Sequence, residues 1–63
     1  MEVFLEETQE TKQLDADTVQ ELLKKLNINP TTVIVSRNGS LLIESQKLEK
    51  EDKIEILPVV SGG

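Results

Sequence analysis

The chain contains no cysteine, histidine, tryptophan or tyrosine, and each absence removes a class of function. Without cysteine there can be neither disulfide bonds nor thiolate metal sites. Without histidine the commonest general base and nitrogen ligand for metals is missing, so we expect no catalytic residue, no metal and no cofactor bound by the chain. A single phenylalanine is the only aromatic residue, which argues against a base-stacking platform for nucleic acid.

The net charge and the lengths of the hydrophobic runs argue against nucleic acid and membranes as partners. Twelve acidic and seven basic side chains give a net charge of -5, which disfavours contact with a phosphate backbone. No apolar run approaches the ~20 residues of a membrane span, and the first residues lack the positive charge of a secretory signal. We therefore expect a cytoplasmic protein with no nucleic acid and no membrane among its partners. The 63 residues allow one domain at most.

The clearest local pattern predicts a helix that starts at Thr18. Thr18 followed by Glu21 fits a capping box, in which each side chain accepts a hydrogen bond from the other residue's backbone N–H. The following apolar residues recur at helical spacing and form one stripe: Val19, Leu22, Leu23 and Leu26. Asn27 and Pro30 predict the end of this helix.

Strands are predicted on both sides of the helix. Two short strands precede it, at residues 3–5 and 11–14, and three follow it, at residues 32–36, 41–43 and 54–57. Asn38-Gly39 predicts a type I′ hairpin turn, which requires positive φ at both residues. Leu48 is the expected anchor of the polar connection before the last strand. The order β-β-α-β-β-β predicts an α+β fold with one helix covering one face of a mixed sheet.

The last six residues carry the strongest indication of chemistry. Pro58 predicts that the strand leaves the sheet there or lies on an unpaired side, so we expect a domain over residues 1–58 and a flexible tail over residues 59–63. The tail is Val59, Val60, Ser61, Gly62 and Gly63. Glycine has no Cβ, so its backbone can enter a narrow channel. Six extended residues reach ~20 Å, enough to present the Gly63 carboxylate to another protein.

Three stretches carry a resemblance to a known family. Residues 17–23 look like its helix start, residues 35–42 like its central hairpin, and residues 53–63 like its last strand and Gly-Gly tail. The chain resembles the ubiquitin-like β-grasp family, and within it the small sulfur carriers of thiamine and molybdopterin biosynthesis. That resemblance implies a mixed sheet of four to five strands. One departure is the sequence Glu51-Asp52-Lys53, where the family often has a glycine between two acidic residues.

The resemblance also implies a function and partners. A ubiquitin-activating-enzyme-like adenylyltransferase would use ATP to adenylate the carboxylate of Gly63. A sulfur donor would then convert it to a thiocarboxylate, and the sulfur would pass to an acceptor enzyme in a thiamine, molybdopterin or tRNA thiolation pathway. In such carriers a hydrophobic residue at the position of Leu57 contacts the activating enzyme. Leu57 points away from Ile54 and Ile56 along the strand, so we expect it to be a docking residue.

Two other functions remain open at this point. The chain is also similar to small archaeal ubiquitin-like modifiers, which would join Gly63 to target lysines through an isopeptide bond. A third interpretation is a passive β-grasp binding module with an idle tail, for which Leu57, Val59 and Val60 would be ordinary packing residues. Blocking the terminus distinguishes this last interpretation from the other two.

Overall fold

The computed structural model describes residues 1–59 of the chain. Its elements follow the order expected from the sequence. The strands are β1 (Glu2–Leu5), β2 (Glu10–Gln13), β3 (Val33–Arg37), β4 (Ser40–Leu42) and β5 (Lys53–Pro58). The helix α1 (Val19–Lys25) lies between β2 and β3, and a single 3-10 turn at Pro30–Thr32 leads into β3. That turn explains why β3 begins one residue later than the β-branched run predicts.

The five strands form one mixed sheet in the order β2-β1-β5-β3-β4. The first and last strands, β1 and β5, run parallel at its centre, and every other neighbouring pair is antiparallel. One helix packs on one face of this sheet. The predicted α+β β-grasp architecture, with four to five strands and a single helix, is therefore confirmed.

The hydrophobic core lies between α1 and the inner face of the sheet. Ile54 and Ile56 are 2% and 3% exposed, as their shared face predicts, and Leu48 is buried in the connection before β5. The other buried apolar side chains are Val3, Ala16, Val19, Leu22, Leu23 and Val35. Because side chains alternate along each strand, the neighbours of these residues point to the opposite face, which we call the open face.

The ends of α1 match the sequence pattern in part. The hydroxyl of Thr18 accepts a hydrogen bond from the backbone N–H of Glu21 at 3.2 Å, as in a capping box. The Glu21 carboxylate instead pairs with Lys25 at 3.4 Å. The helix ends at Lys25, so Leu26 follows it and is only partly buried. Asn27 has φ +58°, which ends the helical backbone.

Two turns fix the remaining connections. Asn38 and Gly39 have φ of +53° and +81°, the two positive values of the predicted type I′ turn. The turn before β5 needs no glycine, because the Asp52 carboxylate accepts from the Glu49 N–H at 2.8 Å and from Arg37 Nη1 at 2.7 Å. These two donors, the Glu49 N–H first, lower the pKa of Asp52 below its ordinary 3.8.

Candidate functional site at the end of β5

The end of β5 is where the chain leaves the described part of the molecule. The Val59 N–H donates to the carbonyl of Thr32 at 2.9 Å, so the backbone is still bound to the start of β3 at this point. Val59 is 40% exposed. The remaining predicted tail residues, Val60, Ser61, Gly62 and Gly63, lie outside the described residues.

Pro58 ends the parallel ladder between β1 and β5. The Glu6 N–H donates to the Ile56 carbonyl at 3.0 Å, and the next bond of a parallel ladder would run from residue 58 to the Glu6 carbonyl. Proline has no N–H to donate. The Glu6 carbonyl instead accepts from the side chain of Gln9 at 2.7 Å. Pro58 therefore stays in register with Val33 on one side and has its missing donor on the unpaired side.

Leu57 lies on the open face, as its position between Ile56 and Pro58 predicts. Its cross-strand neighbour is Ile34 of β3, which is 39% exposed, and Leu57 itself is half-buried. Directly opposed residues in an antiparallel pair have Cβ atoms about 4.5–5.5 Å apart. Leu57 and Ile34 therefore form one apolar pair beside the exit of the chain, and we call it the open-face pair.

A cleft lies on the other side of the exit. Its volume is about 350 Å³, and its lining includes the apolar residues Leu5, Ile28, Val33, Ile56, Pro58 and Val59. The polar part of the lining consists of Glu7, Thr8 and Thr32. The chain thus leaves between the open-face pair and an apolar cleft. Among the described residues no hydrogen bond joins the Glu7 carboxylate to the hydroxyl of Thr8 or Thr32, and the Thr32 hydroxyl donates to the Asn29 carbonyl at 2.7 Å instead.

The sequence patterns located Leu57 but did not identify Ile34 or Thr32 as part of the same site. Strand alternation places Ile34 on the face opposite Val33 and Val35. Only the pairing of β3 with β5 sets Ile34 against Leu57 and Thr32 against Val59, because fifteen residues separate the two strands in sequence.

Two further properties concern residues 1–59. No helix in this range is long and apolar enough to cross a membrane. The same residues contain no cluster of three or more acidic, histidine or cysteine side chains able to hold a metal ion.

Comparison with known proteins identifies the class. Residues 2–63 match the ThiS family, so the chain belongs to that family of ubiquitin-like β-grasp sulfur carriers. It is also similar to the sulfur carrier protein TtuB of Thermus thermophilus, with 38% identity over 45 residues, which cover 71% of this chain and 69% of that protein. Proteins of this type carry sulfur and are not themselves catalysts, in agreement with the absence of a predicted catalytic residue.

Proposed function

We propose that the carboxylate of Gly63 is the group on which this protein carries sulfur. The observation that supports the proposal most is the family match, which extends through residue 63 and so includes the Gly62-Gly63 pair. Sulfur carriers work with an adenylyltransferase and with sulfur acceptor enzymes. We assign the Gly63 carboxylate as the group that the adenylyltransferase activates and from which the acceptor enzyme takes the sulfur. A cytoplasmic location and a role in thiamine, molybdopterin or tRNA thiolation belong to the same proposal.

The chemistry requires ATP because a carboxylate is a poor acylating agent. An oxygen of the Gly63 carboxylate attacks the α-phosphorus of ATP, pyrophosphate leaves, and an acyl-adenylate forms. Hydrosulfide released by the sulfur donor then attacks the carbonyl carbon, AMP leaves with the electrons of the C–O bond, and a thiocarboxylate and a proton remain. The partner enzyme binds the ATP, and this chain supplies the carboxylate alone.

The position of Val59 limits how far that carboxylate can travel from the sheet. Val59 is bound to Thr32, and the Gly63 carboxylate of this proposal lies four residues further along the chain. Four residues span at most about 14 Å when fully extended. The partner must therefore hold the domain close to its own nucleotide, and a docking surface near the exit of the chain meets that requirement.

We assign the open-face pair, Leu57 and Ile34, as the centre of this docking surface. Both side chains are apolar, lie on the uncovered face and flank the exit of the chain. Ordering the tail in an active site costs roughly 1–2 kcal/mol per residue fixed. Burial of apolar side chains such as Leu57 and Ile34, at about 25 cal/mol per Å² of area, offsets part of that cost.

Intact mass spectrometry tests the assignment of Gly63. The purified chain is incubated with the adenylyltransferase of its source organism, ATP and a sulfur donor. We expect an acyl-adenylate intermediate and then the mass increase of one oxygen exchanged for sulfur. A matched control carries one alanine appended after Gly63. It should lose both products while its unfolding temperature is unchanged, because the addition alters none of the described core residues.

The same mixture distinguishes the other two functions considered from the sequence. A Gly-Gly remnant on lysines of other proteins, with no exchange of oxygen for sulfur, would identify a protein modifier. Partner binding that is unaffected by the appended alanine would identify a passive module. If Gly63 never forms an acyl-adenylate with its own adenylyltransferase, the proposal is wrong.

A further inference from the structure

A depression of about 280 Å³ lies on the open face, next to the open-face pair. Its lining includes Phe4, Glu55 and Ser36, which lie side by side on three neighbouring strands. Phe4 is paired with Glu55 between β1 and β5, and Glu55 is paired with Ser36 between β5 and β3. Neighbouring strands are about 4.8 Å apart. The three side chains therefore form one row across the centre of the open face, which we call the central row.

The charge of Glu55 is not neutralised within residues 1–59. Glu55 is exposed and belongs to none of the three ion pairs in this range. The other charged residues on the open face of the strands are Glu2 and Lys53, which also line the depression and belong to none of those ion pairs through their side chains. Two carboxylates and one ammonium group leave the open face with one excess negative charge.

The other two members of the central row are suited to contact with a cation. Phe4 is half-buried on the open face and is the only aromatic residue of the chain, and aromatic rings attract cations placed over their faces. Ser36 is 5% exposed, and a hydroxyl oxygen accepts hydrogen bonds from ammonium or guanidinium groups. A carboxylate, an aromatic ring and a hydroxyl group therefore border the same depression.

Docking at the open-face pair would cover Glu55 as well. Leu57 follows Glu55 by two residues on the same face of β5, a separation of about 6.6 Å, and β5 is the central strand of the sheet. A protein surface that buries Leu57 and Ile34 therefore also removes water from the Glu55 carboxylate. A carboxylate that loses its water without gaining a cation is strongly unfavourable. The covering surface must bring a positive charge to this position.

We propose that Glu55 pairs with an arginine or lysine side chain of the adenylyltransferase, which lies between the Glu55 carboxylate, the Phe4 ring and the Ser36 hydroxyl group. The identity of this partner rests on the proposed function. A second copy of the chain is disfavoured as the occupant, because it would bring a net charge of -5 to a negative face. The open-face pair supplies the apolar contact, and Glu55 selects a surface with a cation at the matching position.

Calorimetric titration of the chain into the adenylyltransferase of its source organism, without ATP, tests this inference. Glu55→Gln keeps the size of the side chain and removes its charge, so Kd should rise about tenfold or more. The control, Glu51→Gln, removes the same charge from an exposed residue before the start of β5, at the end opposite to the chain exit. Its Kd should change by no more than about twofold.

Two further measurements separate the cation site from a general effect of charge. Phe4→Leu keeps an apolar side chain and removes the ring, so Kd should rise about threefold. Raising the salt concentration from about 0.05 M to about 0.5 M should weaken binding of the unmodified chain more than binding of Glu55→Gln, because salt screens the pair that the variant lacks. Amide NMR spectra of all three variants check that the fold is retained.

Equal Kd values for Glu55→Gln and Glu51→Gln overturn the inference, and so does an unmodified chain that does not bind the adenylyltransferase. Self-association of the unmodified chain that is lost in Glu55→Gln would identify a second copy as the occupant and overturn it too. Intact mass reads the Gly63 chemistry separately. If the acyl-adenylate forms and Glu55→Gln binds like its control, only this inference is wrong. If the acyl-adenylate never forms but Glu55→Gln loses binding, the cation site stands and the assignment of Gly63 is wrong.

Discussion

The inner and open faces of the sheet are built from the same strands and differ in what covers them. On the inner face, Val3, Ile54 and Ile56 are at most 3% exposed beneath α1. On the open face, Ile34 is 39% exposed, and its neighbour Leu57 is half-buried without a helix above it. Consecutive residues of β5 therefore alternate between the buried core and the uncovered open face.

Because of this difference, the inner face contributes mainly to the stability of the fold and the open face to contact with a partner. Apolar side chains on the inner face remove area from water in the folded monomer, which stabilises the fold. Apolar side chains on the open face gain little in the monomer and gain more when a partner covers them. Ile56 and Leu57 are adjacent and of equal size, so they form a natural pair of sites at which to measure the two effects.

The largest effect is expected from Ile56→Ala on the inner face. Removing three buried carbons beneath the helix should lower the free energy of unfolding by about 2–5 kcal/mol, measured by urea denaturation followed by circular dichroism. In a chain of this size such a loss takes a large part of the total stability. At a temperature where the variant is still folded, its KM in the adenylation reaction should equal that of the unmodified chain. A raised KM there would contradict the division between the faces.

A smaller effect of the opposite kind is expected from Leu57→Ala on the open face. The free energy of unfolding should fall by less than about 1 kcal/mol, whereas kcat/KM for adenylation should fall about tenfold, the equivalent of about 1.4 kcal/mol of docking energy. Leu14→Ala serves as the control, because Leu14 is also half-buried and its N–H donates to the Met1 carbonyl at 3.1 Å, at the end of the sheet opposite to the chain exit. Equal loss of kcat/KM in both variants would show that docking is not centred on Leu57.

The smallest effect is expected from Asp52→Asn, which lies on neither apolar surface. The variant should be less stable than the unmodified chain by about 1 kcal/mol at pH 7, because it loses the ion pair with Arg37. The folded pKa of Asp52 is lowered from 3.8, so its contribution is present above that pH and is lost as pH falls through the lower folded value.

The difference in unfolding free energy between the two proteins should therefore shrink as the pH is lowered from neutral through 3.8 and further. Urea denaturation at several pH values measures it. A difference that stays constant over this range would exclude the ionised Asp52 carboxylate as its source.

Much of the fold follows from short stretches of sequence. Thr18 with Glu21 placed the start of α1, the spacing of Val19, Leu22 and Leu23 placed its buried stripe, and Asn38-Gly39 placed the type I′ turn. These patterns work because caps, helical periodicity and positive φ are decided within a few residues. The position of Leu57 relative to Ile56 follows in the same way, from the alternation of a single strand.

Long-range pairing decided the rest. Strand alternation assigns Ile34 and Leu57 to faces, but only the antiparallel pairing of β3 with β5 makes them neighbours. The Glu51-Asp52 turn is similar in part, because the Asp52 carboxylate accepts from the nearby Glu49 N–H and also from Arg37, fifteen residues away in sequence. No local pattern encodes such a contact, since it depends on how the strands are ordered in the sheet.

The sequence by itself determined the elements, their inner faces and the family resemblance carried by the Gly62-Gly63 pair, because each depends on neighbouring residues. The tertiary structure decided the strand order, the anchoring of Val59 by Thr32 and which two strands, β2 and β4, form the edges of the sheet. These features depend on which distant segments share hydrogen bonds, and that is settled only when the helix covers one face and the strands pair around β5.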